Sequence, residues 1–358
     1  MSASAAIIHV PSEQGTIQAG IDVAVSGDTV LVADGTYSGA GNKNLDFNGK
    51  AITVQSENGA EGCVIDCENE GRGFYFHSGE TSSSVLDGLT IRNGNANGSY
   101  PHNRGGGIYC ADFSSAIVIN CVIENSSALS NGGGICISNN SVLEILNSTI
   151  NGNSTGEYGG GLACTDSSEI SISESIISGN NGGGVYCANS QLEINVSSII
   201  ENSSNGIYTY YSHSSVIRSS YVDSNTGNGI KSRYSSTQIS DTTITNNRNG
   251  IYFDGSTIPS FLNNCLIANN SDTSGGGITC FVSSPTINNC AIIDNTASSY
   301  EGGGLYVVES ESSINNCIIT GNIASHGGGI YLHGSAPSIA NCTFSNNTSH
   351  DHGSAIFM

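Results

Sequence analysis

Three pairs of residues could do chemistry together. They are Tyr208 and Tyr210, then Lys231 and Arg233, then Tyr252 and Asp254, with the leading members 23 and 21 residues apart. Each pair has alternate spacing, so on a β-strand both members face the same way. Repeated strands would stack the three pairs. The chain has a formal charge of −21 and only nine Lys and Arg, yet four of those nine, Arg218, Lys231, Arg233 and Arg248, fall within 31 residues. His213 and Tyr234 lie in or beside that stretch. Cations beside tyrosines suit an acidic sugar: the charges pair with carboxylates and the rings stack on sugar faces. So Tyr208, Tyr210, Lys231, Arg233, Tyr252 and Asp254 are the expected glycan-binding set. The same groups could run β-elimination. Lys231, Tyr210 or His213 would take the proton alpha to a uronate carboxylate while Arg233 steadies the developing negative charge. Tyr, Lys and Arg are also ordinary on exposed strands, where they pair from strand to strand, so a solvated structural face stays open.

Such pairs align only if the chain repeats, and it does. Glycine-rich steps recur at Gly71-Arg72-Gly73, Gly105-Gly106-Gly107, Gly132-Gly133-Gly134, Gly159-Gly160-Gly161 and Gly182-Gly183-Gly184. They continue through Asn205-Gly206, Asn228-Gly229, Asn249-Gly250, Gly275-Gly276-Gly277, Gly302-Gly303-Gly304 and Gly327-Gly328-Gly329. The apolar residue that follows, from Ile108 to Ile356, returns every 21 to 27 residues. A period of that size with β-type segments points to a solenoid.

One unit shows the logic. Ile278 and Cys280 alternate with Thr279 and Phe281 on a first strand, Ile287 marks a second, and Cys290 and Ile292 mark a third, which ends in an Asn-rich turn. Three short strands per turn, with Gly and Asn at the corners, describe a parallel β-helix. Asn accepts the left-handed backbone of tight corners, and stacked Asn side chains can bond from coil to coil. Coils of 27 residues are expected to bulge before the glycine step, at Tyr100, His102, Glu157, Tyr158, Tyr300, Glu301 and His326. The 21- to 23-residue coils from Val185 to Ile251 should present a trimmed, more open face. Tyr75, Tyr109, Tyr186, Tyr306 and Tyr331 occupy the matching outward position elsewhere, either as a glycan platform or by β-propensity alone.

The twelve cysteines are mostly periodic. Cys121, Cys265, Cys290, Cys317 and Cys342 share one position, filled by Ser148, Ser175, Ser198, Ser220 and Thr242 in other coils. Cys110, Cys164, Cys187 and Cys280 share another. Both read as stacked, buried thiols, although a disulfide such as Cys164 with Cys187 stays open. Cys63 and Cys67 form no CxxC pair, which argues against a zinc site.

At the N-terminus, Ile17, Ile21 and Ala24 share one helical face, with Thr16 as cap and Gly27 as stop. A short helix there would plug the open core. Thr29–Val32 and Gly35–Tyr37 then begin the first coil. The organisation expected is one domain over 1–358: cap and first coil in 1–37, repeat coils in 38–358. The chain ends at Met358 partway through a coil, which suggests truncation.

Composition excludes several classes. The charge disfavours nucleic acid and anionic membrane surfaces. No apolar run is long enough to span a bilayer, so membrane insertion is not expected. Met1–Ala5 lacks the basic start and apolar stretch of a signal peptide. No dense Asp-x-Asp loop localises calcium, the one cofactor the surface carboxylates could hold.

The run Ile17-Gln18-Ala19-Gly20-Ile21-Asp22, followed by Gly27-Asp28-Thr29-Val30 and Gly35-Thr36-Tyr37, resembles the opening of β-helix proteins of the pectin-lyase-like superfamily. Gly327-Gly328-Gly329-Ile330 and Cys342-Thr343-Phe344-Ser345-Asn346-Asn347 are similar to the repeats of polymorphic outer-membrane passenger proteins. The resemblance covers nearly the whole chain. It implies an all-β fold: a single-stranded right-handed parallel β-helix with a short N-terminal capping helix. It does not imply one activity, because that superfamily hosts lyases, hydrolases, epimerases and adhesins. The paired aspartates and Arg-Ile-Lys run of polygalacturonase-like hydrolases are absent, although His333-Gly334 is present. The lone Asp351-His352 lacks the Arg-containing partner motif of pectate lyases. The expected function is therefore a secreted or cell-surface, rod-like adhesive or structural module that binds a polysaccharide or cell-surface glycan. The alternative is a polysaccharide lyase acting on an anionic, uronate-containing glycan.

Overall fold

The protein is described from a computed structural model covering residues 5–358. Met1–Ser4, part of the stretch read for an export signal, lies outside the described residues. The fold is an all-β, right-handed parallel β-helix, with one short helix among the described residues. The chain divides into two compact units, 1–186 and 187–358.

In the first unit the helix Ile17–Val23 buries Ile17, Gly20 and Ile21, and Thr16 Oγ1 caps it by accepting from Ala19 N at 3.2 Å. The expected stop at Gly27 is not where it ends. Ala24 turns extended (ψ 147°) three residues earlier, with its N–H donating to Gly20 O at 3.2 Å and its side chain 2% exposed. The helix packs on strands Ile7–Val10 and Thr29–Val32, which pair in parallel. Ile7–Val10 carries no glycine step and escaped the sequence reading. At the contact, a Cβ on Gly20 would sit 2.8 Å from Val30 Cγ1, so glycine lets the helix approach. Gly35–Tyr37 forms as expected.

Each unit builds three parallel sheets. The step sheet takes the strand after each glycine step, for example Ile108–Cys110 on Ile135–Ile137. The middle sheet stacks strands such as Ser115–Ile119 and Val142–Leu146, and the closing sheet strands such as Val122–Glu124 and Thr149–Asn151. In the second unit the same three sheets run through Ile207–Tyr210, Ser214–Arg218 and Tyr221–Asp223 and their successors. Longer coils do more than bulge. Their extra residues form a fourth sheet of short strands, Asn95–Ala96, Ser127–Ala128 and Ser154–Thr155 in the first unit. In the second unit Ser271–Asp272, Thr296–Ala297, Ile323–His326 and Thr348–His352 do the same. The coils of 21 to 23 residues have no such strand, which leaves their step sheet uncrowded on that side.

Aliphatic columns fill the core. Ile207, Ile230, Ile251, Ile278, Leu305 and Ile330 are each 0% exposed, and burial of each stabilises by about 1.5–3 kcal/mol. Behind the glycine steps of the second unit runs a buried column of Asn202, Asn225, Asn247, Asn270, Asn295 and Asn322, ending on the partly exposed Asn347. Each amide nitrogen donates to the next Oδ1 at 2.9–3.1 Å, and the next Oδ1 also accepts the backbone N–H. This column explains the glycines. A Cβ on Gly277 would lie 2.5 Å from Gly304 O and 3.0 Å from Asn295 Nδ2, so no side chain fits there.

The thiol position holds with one correction. Ser197, not Ser198, occupies it: Ser197 N donates to Ser220 Oγ at 3.2 Å, while Ser198 begins the strand and pairs with Tyr221. Two adjacent serines made the register ambiguous in sequence. Cys265, Cys290 and Cys317 are buried thiols that donate to the carbonyl two residues upstream at 3.1–3.3 Å. Ser148, Ser175 and Ser220 make the same bond at 2.6–2.7 Å.

Candidate functional site

The three expected pairs do come together on the step sheet. Tyr208 pairs in register with Lys231 and Lys231 with Tyr252; Tyr210 pairs with Arg233 and Arg233 with Asp254. Their inward neighbours Thr209, Ser232 and Phe253 are fully buried, so strand alternation turns the site residues outward.

Lys231 is the centre. Its ammonium lies 5.2 Å from the Tyr208 ring centroid and 5.7 Å from that of Tyr252. Among the described residues it makes no hydrogen bond and no ion pair. Burial lowers its pKa, Arg233 pushes the same way, and Asp254 opposes them. The charge is thus held half-buried between two rings, a cation–π arrangement that leaves its hydrogen-bond donors unused.

Arg233 is differently placed. Its Nε stands 3.0 Å from Asp254 Oδ2, an ion-pair contact in which the N–H is not aimed at the oxygen, and Nη2 donates to Tyr234 OH at 3.3 Å. That hydrogen bond and the Asp254 charge raise its pKa. Arg233 is therefore already compensated.

At the corner beyond these strands the structure adds Tyr211, which the sequence reading passed over. Tyr211 and Tyr234 occupy matching corner positions with φ of +49° and stack at 4.9 Å, and Tyr210 meets Tyr211 edge-on at 4.6 Å. The signal was present: many other corners carry Asn, and two neighbouring coils carry Tyr instead. His213 is not part of the cluster. It is exposed at the turn into the middle sheet, and no hydrogen bond or ion pair joins it to Lys231 or Arg233.

The outward tyrosines of the other coils do not form one open platform. Tyr306 and Tyr331 are partly exposed and lie 5.5 Å apart. Tyr109 is 0% exposed. It stacks on Tyr75 at 5.1 Å, its hydroxyl lies 2.8 Å from Ser138 Oγ, and the Arg72 guanidinium sits 5.2 Å from its ring. Tyr186 is likewise buried, against Tyr158 at 4.8 Å.

Two recesses lie away from the expected cluster. One of about 740 Å³ in the second unit is lined by Glu309 and Glu311, carboxylates that would repel a uronate. The other, about 180 Å³ in the first unit, is lined by Arg72 with Asn44, Asn95, Asn97 and His102. No group of three or more His, Cys, Asp or Glu that could hold a metal ion occurs among the described residues. No helix among them is long and apolar enough to cross a membrane.

Two overlapping stretches, 106–265 and 185–349, match the family described as Right handed beta helix region. No curated protein sequence matches the chain. Among solved structures, the alginate lyase AlyF-OU02 in complex with G6 is similar at a TM-score of 0.56 and 11% identity, over 98% of this chain and 88% of that one. A point mutant of the periplasmic alginate epimerase AlgG is similar at 0.53 and 12%, over 93% and 83%. The A-module of the Azotobacter vinelandii mannuronan C-5 epimerase AlgE4 is similar at 0.51 and 14%, over 94% of each chain. At these identities the likeness is one of fold.

Proposed function

The chain belongs to the right-handed β-helix family, and on that footing we propose that it is a secreted or cell-surface adhesive or structural module that binds an acidic polysaccharide. The binding surface is the trimmed step sheet of the second unit. One observation carries this: Lys231 presents an ammonium that, among the described residues, makes no hydrogen bond or ion pair, between the rings of Tyr208 and Tyr252. A uronate would bring the missing carboxylate to Lys231 and lay its ring faces on the tyrosines. Asp254 spaces Arg233 and can accept from sugar hydroxyls.

Alginate and polygalacturonate are the first ligands to test, with a neutral glucan as control. Calorimetric titration should show binding of the acidic polymers, weaker at high salt, and at least ten-fold weaker for Lys231→Met. Equal binding of the neutral glucan, or an undiminished Lys231→Met, overturns the assignment.

The lowered Lys231 pKa supports a second reading, a lyase with Lys231 as base. Against it, Arg233 is engaged by Asp254 and Tyr234, and His213 is exposed with no hydrogen bond to either cation. Ultraviolet absorbance during incubation with the same polyuronates, with and without calcium, decides. A rise lost in Lys231→Ala and Arg233→Ala establishes elimination, and no rise leaves binding alone.

A further inference from the structure

The first unit has three arginines, and their partners differ. Arg92 Nε is 2.9 Å from Asp66 Oδ2, and Arg104 Nη1 is 3.2 Å from Asp166 Oδ2. Among the described residues Arg72 has no carboxylate partner, although it is the most buried of the three, at 5% exposed. Its guanidinium lies 4.7 Å from the Tyr75 ring and 5.2 Å from Tyr109, and Nη2 donates to Arg104 O at 3.1 Å. Its Nε is buried with no hydrogen-bond partner. A desolvated charge without a counter-charge is costly, and two rings and one carbonyl offset only part of that.

Arg72 is one of the residues lining the 180 Å³ recess, beside groups able to recognise hydroxyls. Asn44 Oδ1 is used by Arg72 N at 3.0 Å, but Asn44 Nδ2 and the Asn97 amide make no hydrogen bond among the described residues. His102 stands edge-on to Tyr75 at 6.5 Å. At about 180 Å³ the recess is on the scale of a single sugar residue, not of a polymer segment. We propose that the Arg72 recess is a second ligand site, which binds the carboxylate of a single sugar acid through the guanidinium and its hydroxyls through Asn44, Asn97 and His102. The site stands on its own observations and does not require the Lys231 surface to bind anything.

Isothermal titration with D-galacturonate, D-galactose and sulfate tests it. The expected result is saturable galacturonate binding with a dissociation constant of about 1 mM or tighter, and no binding of galactose. The titrations are run in the Lys231→Met, Arg233→Gln background, which disables the other uronate surface, and there Arg72→Gln should weaken galacturonate at least ten-fold. Should Arg72→Gln fail to fold, Asn97→Trp, at an exposed rim position, should block the recess and abolish binding. Native protein that takes up no galacturonate overturns the proposal. So does sulfate binding as tightly as galacturonate, or galacturonate binding that survives both Arg72→Gln and Asn97→Trp. Polygalacturonate competing at the same site would place the acid at a chain end, and competition by the monomer alone would make it a free sugar acid.

Discussion

Truncating Asn270 should cost far more than truncating its neighbour Asn269. Asn270 is 0% exposed in the asparagine column. Its Oδ1 accepts from Asn247 N at 2.9 Å and from Asn247 Nδ2 at 3.1 Å; its Nδ2 donates to Ile244 O and Asn295 Oδ1, both at 3.0 Å. In Asn270→Ala the buried Asn247 N–H loses its partner, which costs about 1–3 kcal/mol. The other lost bonds add about 0.5–1.5 kcal/mol each, discounted because Asn247 Nδ2 keeps Val222 O and Thr245 O. The total is about 4 kcal/mol. Asn269 is exposed with φ of +55°, so Asn269→Ala meets only the left-handed backbone penalty of about 1–2 kcal/mol. Urea unfolding gives the two totals. Because solenoids can open locally, amide exchange at Asn247 supplies the site-specific readout, with protection falling in Asn270→Ala and holding in Asn269→Ala. Equal losses from the two variants, or unchanged Asn247 protection, would refute the argument that the buried bonds of the column stabilise the coils.

Other outcomes follow from the same geometry. Cys290→Ser should cost under about 1 kcal/mol in urea unfolding, because serines in other coils make the same bond to the carbonyl two residues upstream. Burial pushes the Cys280 thiol up to about 12, so a thiol reagent should label it only as the protein unfolds, at a rate that tracks unfolding followed by circular dichroism. Asp28 accepts from Val25 N at 2.9 Å and Ala6 N at 2.8 Å, and these bonds hold its pKa below 3.8. A depressed carboxylate adds stability above its unfolded value and loses it as pH falls through the folded one. Protection of the Val25 amide, measured against its unfolded exchange rate at the same pH, should therefore fall below about pH 4, and Asp28→Asn should remove that acid step. In Arg233→Gln, loss of the neighbouring cation should raise the Lys231 pKa, read by NMR titration, while the unpaired Asp254 weakens polyuronate binding.

The solenoid itself was legible in the chain. Returning apolar residues, glycine steps and corner asparagines are local signals repeated many times, and parallel stacking turns a repeated local signal into a column. That is why Tyr208, Lys231 and Tyr252 could be aligned from spacing alone, and why stacked asparagines could be anticipated. What escaped depended on how side chains settle across coils. Whether extra residues form a loop or a fourth sheet is decided by pairing with neighbouring coils, which a single coil does not encode. Ser197 and Ser198 differ only in register. Tyr109 and Tyr208 hold the same repeat position, yet one is sealed beneath Arg72 and the other flanks Lys231. Arg72 looked like a residue inside a glycine step. Only tertiary structure sets it over Tyr75 and Tyr109 without a carboxylate, because that depends on which acids the other coils bring within reach. Sequence periodicity determined which residues face outward; packing between coils decided which of those charges were left without a partner.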